Sequence, residues 1–115
     1  MIDNKEPLFD MGHVVATRPV SERMEEDKNF KQTVMKCLLR HATGDFGVTP
    51  EEDKRANMEE LNSGVLEHGG GRILSRYHTD GTTEAEEGFR EGDIYIQTMK
   101  EGETLYTCVL YCEEY

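Results

Sequence analysis

Apolar positions recur along this chain with two different periods, and the change of period divides it. His13 to Thr17 (HVVAT) is a short β-branched run and predicts a strand, which Arg18-Pro19 ends because proline cannot donate to a ladder. Ser21 to Glu26 predicts a short helix, and Asp27-Lys28-Asn29 a break, with Asn29 placed to cap the next helix. Phe30, Val34, Cys37, Leu38 and His41 then recur at helical spacing, so an amphipathic helix is expected to about residue 42, stopped by Gly44, Asp45 and Gly47. Thr49-Pro50-Glu51-Glu52 carries the strongest start signal in the chain: threonine at N-cap, proline at N1 and glutamate at N3. Ala56, Met58, Leu61 and Val65 suit a third helix of about four turns, fraying at Gly64.

Beyond Gly69-Gly70-Gly71, a glycine hinge, the period falls to two. Arg72 to His78 alternates, with Ile73, Ser75 and Tyr77 on one face, and Asp80-Gly81 predicts a turn. Asp93 to Lys100 predicts the next strand, Glu101-Gly102 a hairpin turn, and Thr104 to Cys112 a last strand that is apolar on both faces and therefore central or covered. Residues 1–10 read as an irregular arm with Leu8 and Phe9 as its anchor, and 82–92 as an acidic loop. The expected fold is α+β: two or three N-terminal helices packed on a mainly antiparallel sheet of about four strands, in a single domain spanning 1–115.

Charge changes the picture more than composition does. Residues 1–50 hold 7 Lys/Arg and 8 Asp/Glu, a net of −1; residues 51–115 hold 6 and 16, a net of −10; together they give the −11 of the whole chain. Such a surface repels nucleic-acid and membrane phosphates and attracts basic protein surfaces. No apolar stretch approaches a membrane span, and no leader pattern opens the chain. Three cysteines, Cys37, Cys108 and Cys112, are an odd set without framework spacing, which points to a reducing, cytoplasmic setting. Neither metal-ligand spacing nor a cofactor motif occurs, so no metal and no cofactor are expected.

Two groups of residues are candidates for function. His41, Asp45, Asp53 and Asn57 flank the Gly44–Gly47 corner. His41 and Asp45 are four apart, and an imidazole beside a carboxylate is a general-base pair. Folding the two helices back across the corner would bring all four groups into a small catalytic or ligand-binding site. The alternative is a structural corner, with Asp45 capping helix ends, Phe46 plugging the core and His41 satisfied at a helix end. The second group is the carboxylates Glu51, Glu52, Glu59 and Glu60 on the third predicted helix, with Glu84, Glu86, Glu87, Glu91 and Asp93 in and after the acidic loop. Rigidly displayed, they imitate phosphate spacing; solvated, they only confer solubility.

The run Leu38-Leu39-Arg40-His41-Ala42-Thr43-Gly44-Asp45-Phe46-Gly47, with Glu52-Asp53-Lys54-Arg55-Ala56-Asn57, resembles a family of small proteins carried by bacterial plasmids, integrative elements and phages. Gly12 to Thr17, Gly71-Arg72-Ile73-Leu74-Ser75-x-Tyr77, Asp80-Gly81 and Glu113-Glu114-Tyr115 extend the likeness over most of the chain. Phe46 stands where that family has tryptophan, and the loop 82–92 is longer and more acidic. The resemblance implies a mobile-element origin and no particular reaction. The sequence thus reads as an interaction protein rather than an enzyme: a counter-defence inhibitor of anti-restriction or anti-CRISPR type that occupies a basic nucleic-acid-binding surface without binding nucleic acid or membrane itself. A homodimer through the apolar last strand is a further expectation, should that strand present an edge.

Overall fold

The computed structural model describes residues 6–64, 71–80, 88 and 90–115. Val65, Gly69, Gly70, Gly81 and most of the acidic loop at 82–92 lie outside them. Strand β1 (His13–Ala16) comes first, then helices α1 (Arg18–Glu26), α2 (Lys28–Ala42) and α3 (Glu51–Ser63), then strands β2 (Arg72–Tyr77), β3 (Ile94–Glu101) and β4 (Thr104–Tyr111). The fold is α+β, with a mixed four-stranded sheet in the order β1-β4-β3-β2. β2, β3 and β4 pair antiparallel, while β1 lies parallel to β4, with His13 opposite Tyr106 and Ala16 opposite Val109. The strand that is apolar on both faces is interior, flanked by β1 and β3, so it offers no edge for dimerisation. The edges are β1 and β2.

Alternation sorts the sheet into two faces. Ile73, Ser75 and Tyr77, with Ile94, Ile96 and Thr98 and with Thr107 and Val109, point to one side and are buried. Val20 of α1 and Phe30, Val34, Cys37 and Leu38 of α2 close over them, burying the stripe that the helical period marked out. Val20, absent from the predicted helix, belongs to it because α1 begins three residues earlier than Ser21. Pro19 ends the strand and also opens the helix, since the N–H it lacks has no intrahelical partner in the first turn anyway. Asp27, not Asn29, caps α2: its carboxylate accepts from the Asn29 and Phe30 N–H groups at 3.0 and 3.1 Å.

The capping box predicted at Thr49 does not form. Thr49 is buried, and its hydroxyl donates to the Phe46 carbonyl at 2.5 Å and accepts from the Arg76 N–H at 2.9 Å. Helix α3 starts after Pro50, with Glu51, Glu52 and Asp53 in the first turn, where the helix dipole favours them. It ends on Gly64 in the left-handed conformation. Its predicted apolar face is not the buried one, since Ala56 and Met58 are exposed; Asn57 is the residue of α3 that is buried.

Candidate functional site

The four residues around the corner go to different partners. His41, at the end of α2, is fully buried. Its Nδ1 lies 2.5 Å from Ser75 Oγ and its Nε2 2.9 Å from Thr98 Oγ1. Thr98 Oγ1 lies 2.6 Å from Thr107 Oγ1, and Thr107 donates to the Met11 carbonyl at 2.7 Å. Counting donors assigns the chain of bonds. Thr107 spends its proton on Met11, so Thr98 donates to Thr107 and must accept from His41 Nε2–H; Nδ1 then accepts from Ser75. His41 is therefore the neutral Nε2–H tautomer, and burial pushes its pKa down to about 3. Phe9 meets the imidazole edge-on at 5.3 Å, which makes Phe9 the anchor of the N-terminal arm, whereas Leu8 is exposed.

Asp45 does not pair with His41. Its carboxylate takes a two-point contact from Arg40, at 2.7 and 3.0 Å, and accepts the Gly47 N–H at 3.2 Å. The Arg40 guanidinium holds the Asp45 carboxyl below its ordinary value. The Asp45 carbonyl accepts from the Tyr77 hydroxyl at 2.7 Å. The general-base pair is thus absent because each member has a better-placed partner: hydroxyls in the core for His41, a guanidinium one helical turn back for Asp45.

Asn57 binds backbone. Its amide donates to the Leu74 carbonyl at 2.8 Å and its oxygen accepts from the Leu74 N–H at 3.1 Å, as a neighbouring strand would. Two residues on, the Arg76 carbonyl accepts from Val48 N–H at 2.9 Å and the Arg76 N–H is taken by Thr49. Leu74 and Arg76, like Arg72 before them, turn their backbones away from β3, and Val48, Thr49 and Asn57 close the outer edge of the sheet along Leu74 and Arg76. Asp53 shares with Asn57 a cleft of about 190 Å³, which Glu60, Arg72 and Leu74 also line. The structure brings these two candidates together and leaves His41 and Asp45 elsewhere.

Comparison with known proteins finds no matching family model, no matching curated protein and no matching solved structure. What the chain can do is therefore read from its own geometry.

Among the expected partner-binding carboxylates, Glu51, Glu52, Glu59 and Glu91 are exposed, and Glu60 is half-buried, with its Oε2 buried and unpartnered among the described residues. Glu84, Glu86 and Glu87 lie outside the described residues. Asp93 is not part of any surface display. It is buried, with Arg76 Nε and Nη2 each 2.8 Å from its Oδ2 and His78 Nδ1 2.7 Å from its Oδ1. Its backbone carbonyl accepts from Cys112 N–H at 2.9 Å. Its acidic neighbours group Asp93 with the loop acids in sequence, yet it stands immediately before a strand, opposite the Arg76 and His78 end of β2.

Among the described residues, no group of three or more His, Cys, Asp and Glu side chains is placed to hold a metal ion. Cys37 is buried, Cys108 and Cys112 half-buried, and burial pushes the Cys112 thiol up to about 11, which leaves it protonated near neutral pH.

Proposed function

We propose that this chain is an acidic interaction protein of mobile-element origin that inhibits a host defence protein by occupying its basic, nucleic-acid-binding surface. The observation that carries this reading is helix α3. Its outward side presents Glu51, Glu52 and Glu59 to solvent, while Asn57 clamps the opposite side to the backbone of β2. Carboxylates on a clamped helix lose little freedom on binding, which favours affinity. Glu52 and Glu59 are two turns apart, about 10.5 Å along the axis at 1.5 Å per residue. That approximates three phosphate steps of one DNA strand at about 3.4 Å each. Exposed Glu91 adds to the field, and the loop carboxylates Glu84, Glu86 and Glu87 remain part of the proposal. Asp93 does not. A catalytic or ligand-binding corner centred on His41, Asp45, Asp53 and Asn57 has less support, because both nitrogens of His41 are engaged inside the core.

The test is capture of partners by the tagged chain from lysate of its native host at low and high salt, beside a Glu52→Lys, Glu59→Lys double variant. The expected result is a nucleic-acid-processing protein recovered at low salt, lost at high salt and lost with the variant. A partner held equally by the variant, or insensitive to salt, removes the basis for a phosphate-imitating surface.

A further inference from the structure

We infer that the outer edge of β1 is a self-association surface, and that two copies of this chain join there by antiparallel pairing of β1 with β1 of the second copy. The sheet has two edges, and the chain treats them differently. At the β2 edge, Leu74 and Arg76 have all four outward backbone groups bonded, by Asn57, Val48 and Thr49. At the β1 edge nothing comparable is present among the described residues. Thr17 N–H donates inward, to the Val109 carbonyl at 3.0 Å, so by alternation His13 and Val15 face β4 with their backbones and Val14 and Ala16 face outward. Val14 and Val15 are 46% and 49% exposed, high values for adjacent β-branched residues in mid-strand.

The usual protections of an edge are also missing. Proteins blunt free edges with charged side chains, proline or bulges. Residues 11–17, Met-Gly-His-Val-Val-Ala-Thr, contain no proline and no charge apart from what His13 acquires on protonation. In a chain of net charge −11, the carboxylates against this segment, Asp10 on Gly12 and Glu114 on Thr17, lie at its two ends, and Val14 to Ala16 between them are uncharged.

The occupant follows from this asymmetry. An open edge pairs with another open edge, and a second copy supplies one with the same residues. Because both copies use the same edge for the contact and the β2 edge is occupied along Leu74 and Arg76, pairing closes after two chains and yields a two-fold dimer rather than a growing sheet. Outward residues pair with outward residues, and the register centred on the strand uses all of them: Val14 opposite Ala16 of the second copy and Ala16 opposite its Val14, each pair exchanging two hydrogen bonds, with Val15 opposite Val15 between them. Four residues make a small interface, so the dimer is expected to be weak. It is also expected to survive high salt, unlike the carboxylate contact proposed above, and so the two fail separately.

The experiment is sedimentation equilibrium of the whole chain from about 1 to 300 µM at low and high salt, a range that brackets weak association. It is paired with amide hydrogen exchange at the two ends of that range. The expected mass rises from 13.2 kDa toward twice that value at both salts, and exchange at Val14 and Ala16 slows with concentration. Val14→Pro removes an outward N–H and leaves the β1–β4 ladder intact, and loss of its two bonds should weaken the dimer about tenfold. A Val15→Cys variant should form a disulfide to itself across the axis, mapped by peptide mass apart from Cys37, Cys108 and Cys112, because residues directly opposite at such a position have Cα atoms about 4.5 Å apart. A mass of 13.2 kDa at every concentration overturns the inference. So does a dimer in which Val14 and Ala16 exchange at the monomer rate, since that dimer uses another surface.

Discussion

His41 shows how one side chain ties stability to pH. Its pKa is about 6.5 in the unfolded chain and about 3 in the folded one. Between those values the unfolded state binds a proton that the folded state refuses, so stability is fully present above about pH 6.5 and falls as the pH drops toward 3. The limiting slope is about 1.4 kcal/mol per pH unit. Between pH 7 and pH 4.5 His41 should account for about 2–3 kcal/mol of lost stability. Urea unfolding of the wild type and of His41→Gln at both pH values checks this. The variant is less stable at pH 7 but should lose less on acidification, because the carboxylates are common to both proteins and cancel. Parallel pH profiles would show that His41 is not the group titrating.

At the scale of elements, the decisive contact is between α3 and β2. The helix buries no apolar stripe of the kind that seats α2, and it is held by Asn57 against Leu74, with Leu61 packed beside Phe46 and Ile73. Asn57→Ala should cost about 1–3 kcal/mol, since it removes two hydrogen bonds and leaves a half-buried donor and acceptor of Leu74 without their partner. Urea unfolding measures the cost, and faster exchange of the Leu74 amide would locate it. An unchanged midpoint would mean that packing alone docks the helix. Where the corner runs beside β2 only glycine fits at Gly47: its φ is +67°, and a β-carbon there would collide with the Arg76 carbonyl oxygen and the Tyr77 ring.

For the whole molecule, charge and layering act together. One face of the sheet is covered by helices and carries the core; the acidic surplus belongs to residues 51–115. No helix among the described residues is long and apolar enough to cross a membrane. With a net charge of −11, the compact state repels itself, and salt relieves that repulsion more than it weakens the buried Arg76–Asp93 pair. The melting temperature should therefore rise between low ionic strength and about 0.15 M salt, where the Debye length falls to ~8 Å. Thermal scans across that range check the sign. A falling melting temperature would mean that surface ion pairs such as Arg18–Glu22 outweigh the net charge.

The sequence by itself determined the order and kind of the elements, because period and punctuation are local. The 3.6-residue recurrence from Phe30 to His41 and the two-residue alternation of Ile73, Ser75 and Tyr77 each mark a buried face without reference to the rest of the chain. It also marked His41, Asp45, Asp53 and Asn57 as polar residues in need of an explanation. Asp45 takes its guanidinium from Arg40, five residues back, but the partners of His41 and Asn57 were settled by tertiary structure alone. Which donor meets which acceptor depends on segments 17 to 57 residues apart, as between Asn57 and Leu74 or His41 and Thr98. Thr49 shows the competition directly: locally it is a helix cap, but its hydroxyl accepts from the Arg76 N–H at the sheet edge and donates to the Phe46 carbonyl instead. Asp93 looks like one more surface acid for the same reason, since local composition carries no record of the arginine and histidine that fold against it.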